Sequence, residues 1–303
     1  VITRPQNPSL RELLFTVRGS IVQAIWPKLL YVVLLSLAVT LSHGVFLRFD
    51  FGLTTTPLTL WGLTLAIFLG FRNTTAYQRF WEARGLWGEL LIAGRNLARQ
   101  VETLLPGLSP TERRQLLTPL LAFGYALRDH LRREAPSADL QRVLAGEESL
   151  LAAPHRPSAL IRRLGTRLVA RAREEGLGDP LIANLDQQLD RLTAVLSGCE
   201  RIRQTPIPYP YILMLHRVVH VYCFLLPFCL VDSLGWFTPL AVLVLAYTFF
   251  GLDALGDQIA DPFGTRPNHL PLDALSRGLE IAVLDLLGEP TPEPIRAEAG
   301  LLR

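Results

Sequence analysis

Two histidines, His216 and His220 in LHRVVH, have the types and spacing that come nearest to a chemical site in this chain. Four residues apart on a helix, two imidazoles share one face and can hold zinc between them. The Glu that serves as general base in a metalloprotease helix does not stand between them, so interfacial hydrogen bonding is the favoured reading. Ionisable groups in an apolar segment still call for a partner. Asp253 and Asp257 repeat the spacing at the end of another apolar segment. Their expected role is structural, pairing with Arg217 or Arg72 on neighbouring helices. No glycine-rich phosphate loop, nucleophile elbow or Ser/His/Asp set accompanies them. Cys199, Cys223 and Cys229 have no metal-ligand or redox spacing, and the last two sit in an apolar run as small hydrophobes. No catalytic residue, metal or cofactor is expected.

The elements that must position these groups are helical. The stretch Pro57–Arg84, PLTLWGLTLAIFLGFRNTTAYQRFWEAR, begins apolar and ends charged and aromatic with no helix breaker between. Gly62, Ala66 and Gly70 form a small-residue stripe on it, and Leu63, Ile67 and Phe71 form a bulky one alongside. Each covers one side of the helix over about 12 Å. A small stripe lets membrane helices pack closely. The bulky stripe points into lipid, a core or a pore, and periodicity leaves that choice open.

Half of the 303 residues are hydrophobic and the formal net charge is only +3. The arginines are scattered among acids, which gives no nucleic-acid footprint. The start of the chain lacks the compact apolar core and small-residue cleavage site of a signal peptide. Leu10–Ala24 has an amphipathic helical pattern, and Trp26, Pro27 and Lys28 read as an interfacial break. Apolar runs that read as membrane spans follow at Leu29–Phe46, which is long enough with modest tilt, and at Pro57–Phe71, Tyr209–Val231 and Pro239–Leu255, with a tight turn at Asp232–Thr238. Between the second and third, a polar, arginine-rich block reads as amphipathic helices over Leu86–Leu105, Pro110–Arg133, Ala159–Glu175 and Leu181–Ile202. One more follows at Leu272–Leu287. Arginine is abundant at both ends and in the long block but sparse in the short connections, which places both termini inside.

The expected fold class is therefore an all-α membrane protein with four transmembrane helices and a large helical cytoplasmic region. Its parts are an N-terminal segment over 1–28, spans 1 and 2 over 29–71, a cytoplasmic domain over 72–208, spans 3 and 4 over 209–256, and a cytoplasmic tail over 257–303.

Three blocks carry a specific resemblance: IFLGFRNTTAYQRFWEAR (Ile67–Arg84), GCERIRQTPIPYPYILMLHR (Gly198–Arg217) and DPFGTRPNHLPLD (Asp261–Asp273). Together, in this order, they resemble the signature blocks of the bestrophin family in its bacterial branch, across nearly the whole chain. The resemblance implies a homopentameric ion channel with one central pore, multi-pass in the bacterial plasma (inner) membrane. The expected partners are four further copies of the chain, the lipid bilayer and permeating inorganic ions, with no nucleic acid. By position, Leu63, Ile67 and Phe71 match the neck-lining residues and Ile207 matches the cytoplasmic aperture. Gly62, Ala66 and Gly70 then serve helix packing around the pore. Stacked apolar rings can gate by dewetting.

Two departures qualify the resemblance. Animal members carry an acidic run after Pro-Phe-Gly that forms a calcium clasp; here Thr265, Arg266, Pro267, Asn268 and His269 follow Gly264, and the next acid is Asp273. A hard cation needs several oxygen ligands, so calcium activation is not expected. Animal members also place Phe at two neck positions, where ring edges favour anions. This chain keeps only Phe71, and the bacterial branch resembles a cation-permeable one. The expectation is a monovalent cation channel, with an anion (chloride) channel of the same architecture as the alternative. A membrane-embedded enzyme using the His and Asp pairs, or a non-conducting scaffold, are the readings from other classes.

Overall fold

In the computed structural model, one helix of 50 residues, α2 (Thr55–Leu104), runs through the junction between apolar and polar sequence without a break. The structure describes residues 19–42, 55–297 and 300–302. The stretch expected to form a separate helix from Leu86 is the second half of α2. Among the described residues the remaining elements are also helical, with no strand. They are α1 (Val22–Leu41), α3 (Pro110–Arg132), α4 (Ala138–Val143), α5 (Glu148–Leu151), α6 (Arg156–Glu174), α7 (Asp179–Gln204), α8 (Tyr209–Leu234), α9 (Thr238–Ala260) and α10 (Leu272–Leu286). The chain divides into two units, Arg4–Phe80 with Pro206–Asp261, and Trp81–Thr205 with Pro262–Arg303.

The first unit is built from α1, the start of α2, α8 and α9. Its core joins Ile25 and Val32 of α1 to Leu65 and Leu69 of α2, Val219 and Leu226 of α8, and Val242 and Phe250 of α9. Val22–Leu41 and the stretch Tyr209–Ala260 are long and apolar enough to cross a membrane. The apolar start of α2 is shorter, because Arg72 and Asn73 close it. Pro27, expected to mark a break, lies inside α1. Ile25 and Leu29 are buried on either side of it, so packing holds the helix across the missing donor. The expected amphipathic pattern before residue 19 and the end of span 1 at Phe46 lie outside the described residues. The turn at Asp232–Thr238 contracts to a short 3₁₀ segment, Gly235–Phe237, opened by Gly235 at φ 50°.

The second unit is organised on α3, which is buried along most of its length. Ser109 starts it with a capping box: its side chain accepts from the Glu112 N–H, while the Glu112 carboxylate accepts from the Ser109 N–H at 2.8 Å. The Ser109 hydroxyl also donates to that carboxylate at 2.7 Å, and this bond with the one from the Ser109 N–H holds the exposed Glu112 carboxyl below its ordinary range. Gly124 on α3 lets α10 approach, since a Cβ there would lie 3.2 Å from Leu279 Cδ2. The Ser276 hydroxyl then donates to the Gly124 carbonyl at 3.0 Å. Buried Tyr125 donates to Glu280 at 2.5 Å, and that carboxylate also takes Arg142 at 2.9 Å. Burial and Glu280 push the Tyr125 phenol up. Cys199 is buried without a disulfide, and its thiol is pushed up to about 12 by the same loss of water.

Candidate functional site

The start of α2 has two faces. Leu58, Gly62, Leu65, Leu69, Arg72 and Ala76 are buried, at alternating steps of four and three that keep them on one side. Leu63, Ile67 and Phe71 stand on another side and are 61 %, 50 % and 64 % exposed in the single chain. These are the three residues assigned to the neck.

The small-residue stripe divides. Gly62 is covered by the Tyr222 ring of its own chain, and a side chain there would collide with the phenol. Tyr222 is in turn held edge-on by Trp61, with ring centroids 6.1 Å apart. Ala66 is exposed, and Gly70 has open space where a Cβ would be. Close packing by Gly62 is thus used within the chain, while Ala66 and Gly70 keep theirs free.

One residue beyond Phe71, and about 100° around the helix, Arg72 is buried. Its guanidinium donates to Asp253 Oδ1 at 2.8 Å and to the Asp253 carbonyl at 3.0 Å, and it pairs with Asp257 through its other amino group. His216 bridges the same two carboxylates: Nδ1 lies 2.6 Å from Asp253 Oδ2 and Nε2 3.2 Å from Asp257 Oδ2. Arg72 therefore takes the role left open between it and Arg217. His216 joins the acids rather than His220, whose Nδ1 faces the His216 carbonyl at 2.6 Å. The two histidines do not converge on one point. Around this cluster the Asn73 amide donates to the Leu252 carbonyl at 3.1 Å, the Tyr211 hydroxyl to the Phe68 carbonyl at 3.2 Å, and Arg79 Nε to the Ala260 carbonyl at 3.2 Å. A buried guanidinium with two carboxylates and three main-chain tethers fixes rotation of α2 about its axis. Nothing in it resembles a nucleophile or a reacting centre.

Ile207 lies in the turn between α7 and α8 and is 9 % exposed, unlike Leu63, Ile67 and Phe71. The segment after Pro262 folds on itself: the Leu270 N–H donates to the Pro262 carbonyl at 2.9 Å, and the His269 N–H to the Arg266 carbonyl at 3.0 Å. Asp273, the first acid after this loop, accepts from Arg128 at 2.8 Å and from Arg132 at 3.0 Å. A carboxylate held by two guanidiniums is a poor calcium ligand, and the loop supplies no other carboxylate. The donor set does not fit the calcium clasp of the animal members.

This arrangement, apolar helices packed beside a long helix that exposes a ladder of bulky side chains, is that of a helical membrane protein. The model of the Bacterial/Fungal Bestrophin protein family matches residues 1–285. The chain belongs to the bestrophin family. It is 42 % identical over 301 residues to a voltage-dependent anion channel-forming protein of Mesorhizobium japonicum, covering 98 % of this chain and 96 % of that protein. It is 39 % identical over 291 residues to the voltage-dependent anion channel-forming protein YneE of Escherichia coli, covering 95 % of each. The crystal structure of a bacterial bestrophin homolog from Klebsiella pneumoniae superimposes with a TM-score of 0.83 at 40 % identity, covering 88 % of this chain and 99 % of that one.

Proposed function

We propose that five copies of this chain assemble around one axis as an ion channel of the plasma membrane, each contributing four spans with both termini in the cytoplasm. Leu63, Ile67 and Phe71 form the neck as three stacked apolar rings, Ala66 and Gly70 let neighbouring α2 helices approach, and Ile207 sits at the cytoplasmic aperture. The observation that carries this reading is the exposed ladder on α2, set beside two small residues and opposite a face locked down by Arg72. A closed ring of helices uses both the ladder and the small residues. No step in this reading is enzymatic.

On the sign of the ion, two lines of support part. The relatives are named as anion channel-forming proteins, which moves anions ahead of the monovalent cations expected from the sequence. The cation reading retains one support, the aliphatic Leu63 and Ile67 where aromatic edges would favour anions. Reversal potential in planar bilayers under asymmetric potassium chloride separates them. A potential near that of chloride establishes the anion channel and one near that of potassium the cation channel. Absence of any current from reconstituted, correctly assembled protein would overturn the channel reading itself. Unchanged conductance in both Ile67→Ala and Ile207→Ala would remove the assigned constrictions.

A further inference from the structure

Three side chains that the channel reading leaves unused meet inside the second unit. His130 is near the end of α3, His155 immediately precedes α6, and Glu200 lies on α7. Nε2 of His130 and Nε2 of His155 each lie 2.8 Å from the same oxygen, Oε1 of Glu200. The two rings are stacked at a tilt, with centroids 4.6 Å apart. One ligand atom from each residue falls within 4.8 Å of the other two.

We infer that His130, His155 and Glu200 form a binding site for one first-row divalent metal ion, zinc foremost, that clips α3, the start of α6 and α7 together. Two imidazoles and a carboxylate suit zinc, copper or nickel and discriminate against magnesium and calcium, which want oxygen alone. Zinc takes His and carboxylate ligands at about 2.0–2.2 Å in tetrahedral geometry, which sets ligand atoms about 3.3 Å apart. Each nitrogen–oxygen pair has to open by about half an ångström from its hydrogen-bonded separation, a shift that side-chain torsions supply without moving a helix. All three residues are partly exposed, so an ion can enter. Beside them a cavity of about 220 Å³, lined by His130, Glu200, Arg133, Glu134 and Arg156, has room for a water as fourth ligand. Two features temper the affinity. Arg133, Arg156 and Arg203 also border the cavity, against Asp129 and Glu134. His155 Nδ1 accepts from the Ser158 N–H at 3.3 Å, capping α6. Ligation through Nε2 leaves the ring proton on Nδ1, so metal binding gives up that cap.

The alternative is a hydrogen-bonded staple with no metal, in which both imidazole N–H groups donate to one carboxylate oxygen. The two are separable because a glutamine carbonyl can accept both hydrogen bonds but is a far weaker metal ligand than a carboxylate. The experiment uses full-length, detergent-solubilised protein stripped with a chelator and titrated with zinc against a fluorescent zinc indicator. Cobalt(II) absorption reports the geometry. The expected result is about one zinc per chain, a tetrahedral cobalt spectrum, and at least a tenfold loss of zinc affinity in Glu200→Gln and in His155→Asn. Asn is itself a favoured N-cap, so that second variant keeps α6 capped. Metal-free melting curves of both variants confirm that the fold is intact. Equal zinc binding by wild type and both variants, or no stoichiometric zinc in wild type, would overturn the site.

Discussion

Arg72 and Asp253 meet twice, the guanidinium donating at once to the carboxylate and to the main-chain carbonyl of the same residue. Both side chains are excluded from solvent. Removing one partner of a buried pair costs about 3–5 kcal/mol when the other charge is stranded, and here Asp257 still holds Arg72, so the cost is a part of that. Asp253→Ala is therefore expected to unfold at clearly lower denaturant than wild type in detergent. Arg72→Lys is expected to lose stability as well, because an ammonium cannot reproduce the fork that reaches Asp253 and Asp257 together. Wild-type stability in both variants would show that the cluster is not a fastening.

Gly256 lies under this cluster. A Cβ there would stand 3.3 Å from Arg72 Cζ and would run into the Asn73 side-chain oxygen. Gly256→Ala gains helix propensity of about 1 kcal/mol, but it must turn the Asn73 amide, which donates to the Leu252 carbonyl, and crowd the guanidinium beside it. The expected balance is a net loss, read as a lower melting temperature. A stabilised Gly256→Ala would show that the Asn73 amide turns away at no cost.

In the second unit, Tyr125→Phe removes the hydroxyl that donates to Glu280 and is expected to cost about 2 kcal/mol near neutral pH, since a bond to a charged acceptor is among the stronger ones. The pH dependence has a definite sign. The phenol is pushed up in the folded state, so its contribution is complete below the unfolded value of about 10 and is lost as pH rises beyond it. The difference in denaturant midpoint between wild type and Tyr125→Phe should shrink as the medium is made more alkaline. A constant difference across that range would contradict the assignment.

Calcium is expected to leave the current unchanged, because Arg128 and Arg132 already hold Asp273. Titrating the cytoplasmic side of a bilayer recording checks this directly. Steep activation by calcium would require a site that this loop does not supply.

How far these features could be read from the residues varies with the physics behind each. The apolar helices α1, α8 and α9, and the helices from Pro110 and Leu272, follow from apolar periodicity and local start signals. The unbroken length of α2 does not, because Gly85, Gly88 and Gly94 interrupt the pattern just where the helix carries on. At Gly94 the reason is tertiary, since Leu279 of α10 occupies the space a side chain would need. The four-residue spacing of Asp253 and Asp257 announces a partner, but only packing selects Arg72 over Arg217 and brings in His216. His130 and Glu200 come from two helices and His155 from the residue that caps a third, so no spacing in the chain could announce them. The burial of Ile207 was equally illegible, because a turn has no period to read.

The two faces of α2 give the sharpest test of the proposed pore, because residues only two positions apart should behave differently. Leu65 is buried in the unit's own core, so Leu65→Ala is expected to cost about 2–5 kcal/mol of stability through the cavity it leaves. The channels that do assemble from it should keep wild-type conductance. Ile67 is half exposed and buries little within its chain, so Ile67→Ala is expected to leave stability nearly unchanged. In a ring of five it removes three carbons from every chain, and conductance should rise by at least about twofold as the dewetting barrier falls. Ile67→Thr separates width from wetting, since its side chain stays branched while a hydroxyl faces the axis. A gain in Ile67→Thr close to that in Ile67→Ala would make hydration the barrier, and a gain confined to Ile67→Ala would make it steric. If instead Ile67→Ala lowers stability and spares conductance, the ladder is a packing surface and the pore lies on another face of α2.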